Sequence, residues 1–127
     1  MRIGIQTFFS GKEREPLGEF ISSAGRILEE RGFSGVWLSE HVVTFRHYDP
    51  AYPYPYADDG VPPALFSDTG MLDPLSALTV LATHTKKLRL GTGVALLPQR
   101  NPVYFAKMAT AVGTVLLKCC TNMPGMG

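Results

Sequence analysis

Residues 32–41 read GFSGVWLSEH, and this stretch does most to decide the fold. Gly35 to Leu38 is a short apolar run, which is typical of a buried strand, and it passes directly into the polar tip Ser39-Glu40-His41. Similar runs lie on either side of it in the chain, from Arg2 to Phe9 and, interrupted by glycines, from Leu88 to Leu97. The sequence therefore predicts three strands.

Each predicted strand is followed by a segment with helical spacing. The first such segment begins at Pro16 and stops before Gly32, while Asp73-Pro74 and Asn101-Pro102 supply a cap and a first-turn proline for the other two. The apolar faces comprise Phe20, Ile21, Ala24, Ile27 and Leu28, then Leu75, Leu78, Leu81 and Ala82, then Phe105, Ala106, Ala109 and Val112. This alternation predicts an α/β fold with a parallel sheet and right-handed crossovers.

Two α/β architectures fit that order, a doubly wound nucleotide-binding sheet and a (β/α)8 barrel. The first normally carries a glycine-rich phosphate loop after its first strand. Here that position reads TFFSGK at residues 7–12. The lack of such a loop favours the barrel.

Composition limits the classes of function. The 127 residues are 45% hydrophobic and 18% charged, which suits one ordered domain. A net charge of +1 with scattered basic residues gives no reason to expect a nucleic acid or membrane partner. Cys119 and Cys120 are adjacent, which suits neither a disulfide framework nor a metal site. No signal peptide is apparent at the N-terminus, so a cytoplasmic location is expected.

Three blocks of sequence resemble the luciferase-like monooxygenase family, and most strongly its branch that uses coenzyme F420. They are residues 32–41, residues 73–94, which run from DPL to LRLGTGV, and LPQRNP at residues 97–102. The resemblance implies a (β/α)8 barrel with a planar tricyclic cofactor, F420 or alternatively FMN, at the carboxyl ends of its strands. It also implies hydride transfer or monooxygenation of a small organic substrate.

A whole barrel of this kind needs about 250 residues, so the chain is expected to supply an N-terminal (β/α)3 portion of a truncated TIM barrel. Residues 1–112 are assigned to the family region. Residues 113–127 do not continue its pattern and are expected to be a tail foreign to the family, as a frameshift, a premature stop or a wrongly assigned gene end would produce.

His41 is the predicted catalytic residue. It follows the second strand, at the end of the sheet where barrels of this type carry their active sites. The resemblance implies that a histidine here faces the reactive part of the cofactor, where an imidazole can donate or accept a proton. Its neighbour Glu40 is expected to be structural, in an ion pair, because consecutive strand residues point to opposite sides.

Thr92, Gly93 and Val94 are the predicted cofactor-binding residues. A glycine here allows a flat ring to approach the backbone, and the resemblance implies a non-proline cis peptide at Gly93-Val94; a plain β-bulge is the alternative. Gln6 and Phe8 alternate to one side of the first strand and are predicted to line the substrate pocket. No metal site is predicted.

The segment Thr44 to Leu72, rich in proline and tyrosine, has no helical or strand period, and Tyr48 to Phe66 is expected to form either a lid over the substrate or a passive rim. Three functions remain open: a flavin- or deazaflavin-dependent oxidoreductase, a catalytically silent fragment that associates through its open sheet edges with itself or with the rest of a barrel, and a small α/β binding module.

Overall fold

A three-stranded parallel sheet and three α-helices make up the computed structural model, which describes residues 2–10, 16–42 and 70–120. The strands are β1 (Gly4–Thr7), β2 (Gly35–Leu38) and β3 (Arg89–Thr92). The helices are α1 (Leu17–Glu30), α2 (Pro74–His84) and α3 (Pro102–Cys120), and a 3-10 turn spans Leu97–Gln99. The predicted alternation of strand and helix is confirmed.

The strands lie in the order β1-β2-β3, so each strand is next to its neighbour in the sequence. Gln6 pairs with Trp37, and Trp37 pairs with Gly91. This stepwise order, with a helix after each strand, is the arrangement of the first three βα units of a (β/α)8 barrel.

The helices cover one face of the sheet. Val36 and Leu38 of β2 are almost fully buried there, together with Ile21 of α1 and Leu81 of α2. On the opposite face Trp37 keeps 38% of its surface exposed. A Cβ on Gly4 or Gly35 would overlap the Trp37 ring, so glycines are needed where the indole lies on the sheet. Among the described residues, the core therefore lies on one side only.

Local sequence signals set the helix ends. Gly32 takes a positive φ of 81° just beyond α1, and the amide of Phe33 donates to the carbonyl of Leu28 at 3.0 Å, as in a Schellman motif. Asp73 Oδ1 accepts from the amide of Ser76 at 2.9 Å and caps α2. Asn101 Oδ1 accepts from the amides of Val103 and Tyr104 and caps α3. The helix boundaries predicted from Gly32, Asp73 and Asn101 are confirmed.

α1 and α2 come close together at Gly25. A Cβ there would lie 2.8 Å from Cδ2 of Leu81, so a larger residue would require the Leu81 side chain to move. The buried residues of α2 also include Ala77 in place of the predicted Ala82. These contacts join the two helices into the layer that covers β2.

Several predicted boundaries were wrong. β1 is shorter than Arg2 to Phe9, because its pairing with β2 runs only from Gly4 to Thr7. β3 ends at Thr92 rather than Leu97, because its pairing with β2 ends where β2 does, at Leu38. Pro16 is the cap residue of α1 and not its first helical residue.

Two residues assigned to apolar helix faces, Ile27 and Ala106, are exposed. The proposed lid, Tyr48 to Phe66, lies outside the described residues. α3 continues through Cys120, across the predicted boundary between residues 112 and 113, which stays a prediction. In the part of the chain that the structure covers, no helix has both the length and the apolar character needed to cross a bilayer.

Candidate functional site at the carboxyl end of the sheet

The three parallel strands end side by side and bring most of the predicted site residues to one end of the sheet. The carboxyl end is formed by residues 6–8 from β1, 39–42 after β2 and 92–96 at and after β3. The backbone continues this alignment beyond the strands, since the amide of Ser39 donates to the carbonyl of Thr7 at 2.9 Å and that of Gly93 donates to the carbonyl of Leu38 at 2.7 Å.

Gln6 links all three strands at this end. Its side-chain Nε2 donates to Oγ of Ser39 and to the carbonyl oxygen of Gly93, each at 3.1 Å. A carbonyl oxygen can only accept, so the amide nitrogen of Gln6 must face it. The side chain predicted to line a pocket therefore also holds the backbone of the predicted cofactor site.

Gly93 has Gln6 as its close neighbour. A Cβ on Gly93 would lie 3.0 Å from Cδ and Nε2 of Gln6, which is tighter than ordinary van der Waals contact. The space that the missing side chain leaves is thus filled by an amide of the same chain. The next residue, Val94, is 62% exposed.

Glu40 is the buried member of an ion-pair network centred on Arg100, which also pairs with Asp73. Its side chain is only 3% exposed, and its carboxylate accepts hydrogen bonds from Nε of Arg100 at 2.7 Å, from Nη2 of the same guanidinium and from the amide of Leu96 at 2.7 Å. Arg100 Nη2 also binds Oδ2 of Asp73, and its guanidinium lies 5.7 Å from the centre of the Phe105 ring. The expected ion pair of Glu40 is present.

The contacts between Asp73 and Arg100 favour the charged forms of these two groups. Burial by itself raises the pKa of Asp73, but hydrogen bonds from Arg100 and from Ser76 outweigh it and hold the pKa below its usual value. Hydrogen bonds to Glu40 and then to Asp73 raise the pKa of Arg100. One guanidinium thus joins the tip of β2 to the cap of α2, next to the beginning of α3.

His41 lies in the open beside this network. It helps to line a cavity of about 330 Å³, together with Glu40, Val42, Met71, Asp73, Gln99 and Arg100. No hydrogen bond joins His41 to Gln6 or Gly93 in the described part of the chain. The sheet therefore brings His41 to the same end as these residues, but on the side of the ion-pair network.

The other predicted residues are divided between the faces of the sheet. Thr92 pairs with the buried Leu38 and lies half-buried towards the helices, whereas Gly93 lies on the side of Gln6. Phe8 is half-buried just beyond β1. Of the predicted cofactor residues, Gly93 and Val94 are the two that border the open end.

Sequence reasoning missed Arg100 and Ser39. Ser39 was read only as part of a polar tip, and Arg100 lies in a loop, where no periodic pattern marks it. One signal was available for Arg100: a buried glutamate needs a cation, and Arg100 directly precedes the cap of α3 in the LPQRNP block.

The amino end of the sheet has a different kind of acid site. The carboxylate of Glu29, at the end of α1, accepts hydrogen bonds from the amides of Lys86, Lys87 and Leu88, at 2.9 Å for the first and last. Burial raises the pKa of Glu29, but these amides outweigh it and hold the pKa below its usual value. A cavity of about 460 Å³ lies beside it, lined in part by Arg2 and Arg89.

The geometry thus places a histidine, an exposed apolar residue after a glycine, and a buried ion-pair network at the carboxyl end of a parallel sheet. Compared with families of known proteins, the chain matches luciferase-like monooxygenase over residues 1–116. The chain belongs to this family. Its members are flavin-type oxidoreductases and monooxygenases, and the three βα units described above are the N-terminal part of the barrel that this family shares. No curated protein matches the chain.

The residues at the carboxyl end fit a planar cofactor of the kind that luciferase-like monooxygenases use. Val42, Val94 and Leu97 are exposed apolar residues that follow β2 and β3, and the polar residues Gln6 and Ser39 lie at the same end of the sheet. Such a mixture of apolar surface with a few placed polar groups is typical of small-molecule sites. Among the described residues, no group of three His, Cys, Asp or Glu side chains is placed to hold a metal ion.

Proposed function

We propose that the chain carries part of the site of an oxidoreductase that uses coenzyme F420, or alternatively FMN, on a small organic substrate. The observation that carries the proposal is the meeting of His41, Gln6 and Gly93-Val94 at one end of a parallel sheet in a luciferase-like monooxygenase. That end is where barrels of this architecture bind their substrates and cofactors.

The proposed roles follow from exposure and chemistry. Val94 offers its exposed side chain to the face of the ring, while Thr92 and Gly93 shape the backbone beneath it. Gln6 and Phe8 border the substrate pocket. The cofactor, when bound, supplies the hydride chemistry that no side chain of the protein can provide.

His41 is proposed to donate or accept the proton that accompanies hydride transfer. It is exposed and lines a cavity of about 330 Å³, so a substrate group can reach its imidazole. A histidine suits this step because its imidazole can both donate and accept a proton. Glu40 and Arg100 do not share the task, because each is bound to the other.

Fluorescence titration of the full chain with F420, and separately with FMN, tests the cofactor proposal. We expect saturable binding of F420, with FMN binding more weakly. Binding of neither would contradict the proposal, and tighter binding of FMN would reverse the choice of cofactor. The His41→Asn variant should bind the cofactor with similar affinity, since histidine acts on the substrate, but should lose about 100-fold or more in kcat.

A second candidate function is self-association through the sheet. It is favoured by the exposed Trp37, which lies on the face that the described helices leave open, and by β1 and β3, each of which has one strand neighbour among the described residues. Sizing chromatography distinguishes the two candidate functions, because a monomer that binds F420 would contradict self-association. We expect a cytoplasmic location for either function, and no nucleic acid or membrane partner.

A further inference from the structure

We infer that Gln6 is a positioning residue that fixes the carbonyl group of Gly93, and with it the backbone on which the cofactor ring is proposed to rest. This rests on the proposed function and adds a role for Gln6 beyond lining the pocket. Two features of one contact carry it: the hydrogen bonds of the Gln6 amide, and the space above Gly93 that this amide fills.

The hydrogen bonds cross the whole sheet. Nε2 of Gln6 uses one N–H on Ser39 of the middle strand's tip and the other on the carbonyl of Gly93, 87 residues away along the chain. That carbonyl belongs to the peptide bond between Gly93 and Val94. Holding it therefore restrains the rotation of this peptide unit, and so the direction in which Val94 projects.

Gln6 approaches Gly93 so closely that a side chain at residue 93 would crowd it. Any Cβ at this position would meet the Gln6 side chain at 3.0 Å, and the flexible amide would have to give way. Gly93 and Gln6 are thus matched to each other. A larger residue at position 93 and the loss of the amide at position 6 should disturb the same contact.

β3 has already ended at Thr92, so the sheet gives little support beyond this point. The amide of Gly93 still donates to the carbonyl of Leu38 at 2.7 Å. Among the described residues, that bond and the one from Gln6 are the two that hold the peptide groups on either side of Gly93. The Gln6 amide is consequently the side chain that controls the first residue after the sheet.

The test uses the full chain and three single variants. Gln6→Met keeps the length of the side chain and removes both donors, whereas Gln6→Glu keeps its shape and places a carboxylate against the Gly93 carbonyl. Ser34→Ala is the matched control, because Ser34 Oγ donates to the carbonyl of Ile3 at 2.7 Å and so joins β2 to β1 at the opposite end of the sheet.

Two quantities are measured, hydrogen exchange of the Gly93 amide without cofactor and the Kd for F420. We expect both Gln6 variants to speed exchange at Gly93 and to weaken F420 binding by about tenfold, equivalent to about 1.4 kcal/mol. Ser34→Ala should change neither. Gly93→Ala should reproduce the effect of Gln6→Met, and the double variant should be no worse than either, because the two residues share one contact.

Each outcome has a distinct meaning. Unchanged exchange at Gly93 in Gln6→Met overturns the inference, whatever the binding result. Faster exchange with unchanged F420 affinity overturns the positioning role for the cofactor. If the wild-type chain binds neither F420 nor FMN, the proposed function fails, while the exchange measurement still decides whether Gln6 holds the Gly93 peptide. Equal effects of Ser34→Ala and Gln6→Met also overturn the inference, because they would show general loosening of the sheet.

Discussion

Glu29 and Glu40 stand at opposite ends of the sheet and anchor the two ends of the same strand. Glu29 binds the amides of residues 86–88, which lead into β3, and Glu40 binds the amide of Leu96, which follows it. Glu29 is half-buried and is held by backbone groups. Glu40 is almost fully buried and also needs the guanidinium of Arg100.

The different partners of Glu29 and Glu40 match the different degrees of burial of the two carboxylates. Three amides suffice for a carboxylate that still reaches water. A buried carboxylate requires a partner of opposite charge, because its lost hydration must be replaced. The network that results at the carboxyl end includes the cap of α2 and lies directly beside His41. At the amino end, the contacts of Glu29 hold the chain that leads into β3. At the carboxyl end, the contacts of Glu40 hold the chain that follows β3, and they lie next to His41, the proposed reactive group.

The largest effect should come from Arg100→Met. Removing the guanidinium leaves the Glu40 carboxylate buried with the Leu96 amide as its remaining described donor, and breaking a buried ion pair from one side costs about 3 to 5 kcal/mol. Urea unfolding of the full chain measures this loss. Lys107→Met, an exposed change on α3, is the control and should stay within about 0.5 kcal/mol of wild type.

A double variant tests whether the loss in Arg100→Met comes from the unpaired charge of Glu40. Glu40→Leu together with Arg100→Met removes both charges, and the double variant should recover at least half of the stability lost in Arg100→Met alone, since an apolar pair needs no hydration. If Arg100→Met cost less than about 1 kcal/mol, as an exposed pair would, the Glu40 network would not be the stronger of the two anchors.

Glu29→Gln should have a smaller effect than Arg100→Met. The amide keeps one acceptor oxygen but loses the charge that strengthens the bonds to residues 86–88, so a loss of about 1.5 kcal/mol is expected from urea unfolding. A loss equal to that of Arg100→Met would remove the distinction between the two ends of β3.

Asp73→Ala should cost about 1 kcal/mol through the cap of α2, because Asp73 Oδ1 accepts from the amide of Ser76. Asp73→Asn is its matched control. Asparagine also caps helices well, so it should retain most of the stability while losing the ion pair with Arg100. If Asn were as harmful as Ala, the ion pair would matter more than the cap.

The pH dependence of stability should be the smallest effect. The pKa values of Glu29 and Asp73 are lowered in the folded chain from ordinary values of 4.5 and 3.8, so their stabilising contribution is present above these values and is lost as the pH falls below them through the folded pKa values. Glu29→Gln should flatten the fall in unfolding free energy as the pH drops below about 4.5, measured in urea. A fall as steep as that of wild type would contradict the role of Glu29.

The sequence was sufficient for the order of the elements and for three of the helix ends. Gly32, Asp73 and Asn101 each act through a local rule, so they were predicted with their structural roles. The strand ends were not, because the end of β3 depends on where β2 stops pairing. Pairing between strands is a non-local property that no short window contains.

The candidate site could be predicted only in part, again because contacts between distant residues do not show in a short stretch of sequence. His41 and Gly93 follow strands and could be placed at one end of the sheet from topology alone. The contacts that link Gln6 to Gly93 and Glu40 to Arg100 join residues that are far apart in sequence, so only the fold brings them together. The conformation of the Gly93-Val94 peptide bond stays a prediction.

The cofactor is proposed to bind at the carboxyl end of the sheet and not at the amino end. F420 affinity of Val94→Glu against Ile3→Glu tests this proposal most directly, because both side chains are exposed apolar groups, at 62% and 50%, on opposite ends. We predict that Val94→Glu weakens binding by about tenfold or more, through lost apolar contact and an added negative charge, while Ile3→Glu leaves the Kd within about twofold of wild type. Equal losses in the two variants, or a larger loss in Ile3→Glu, would contradict the account.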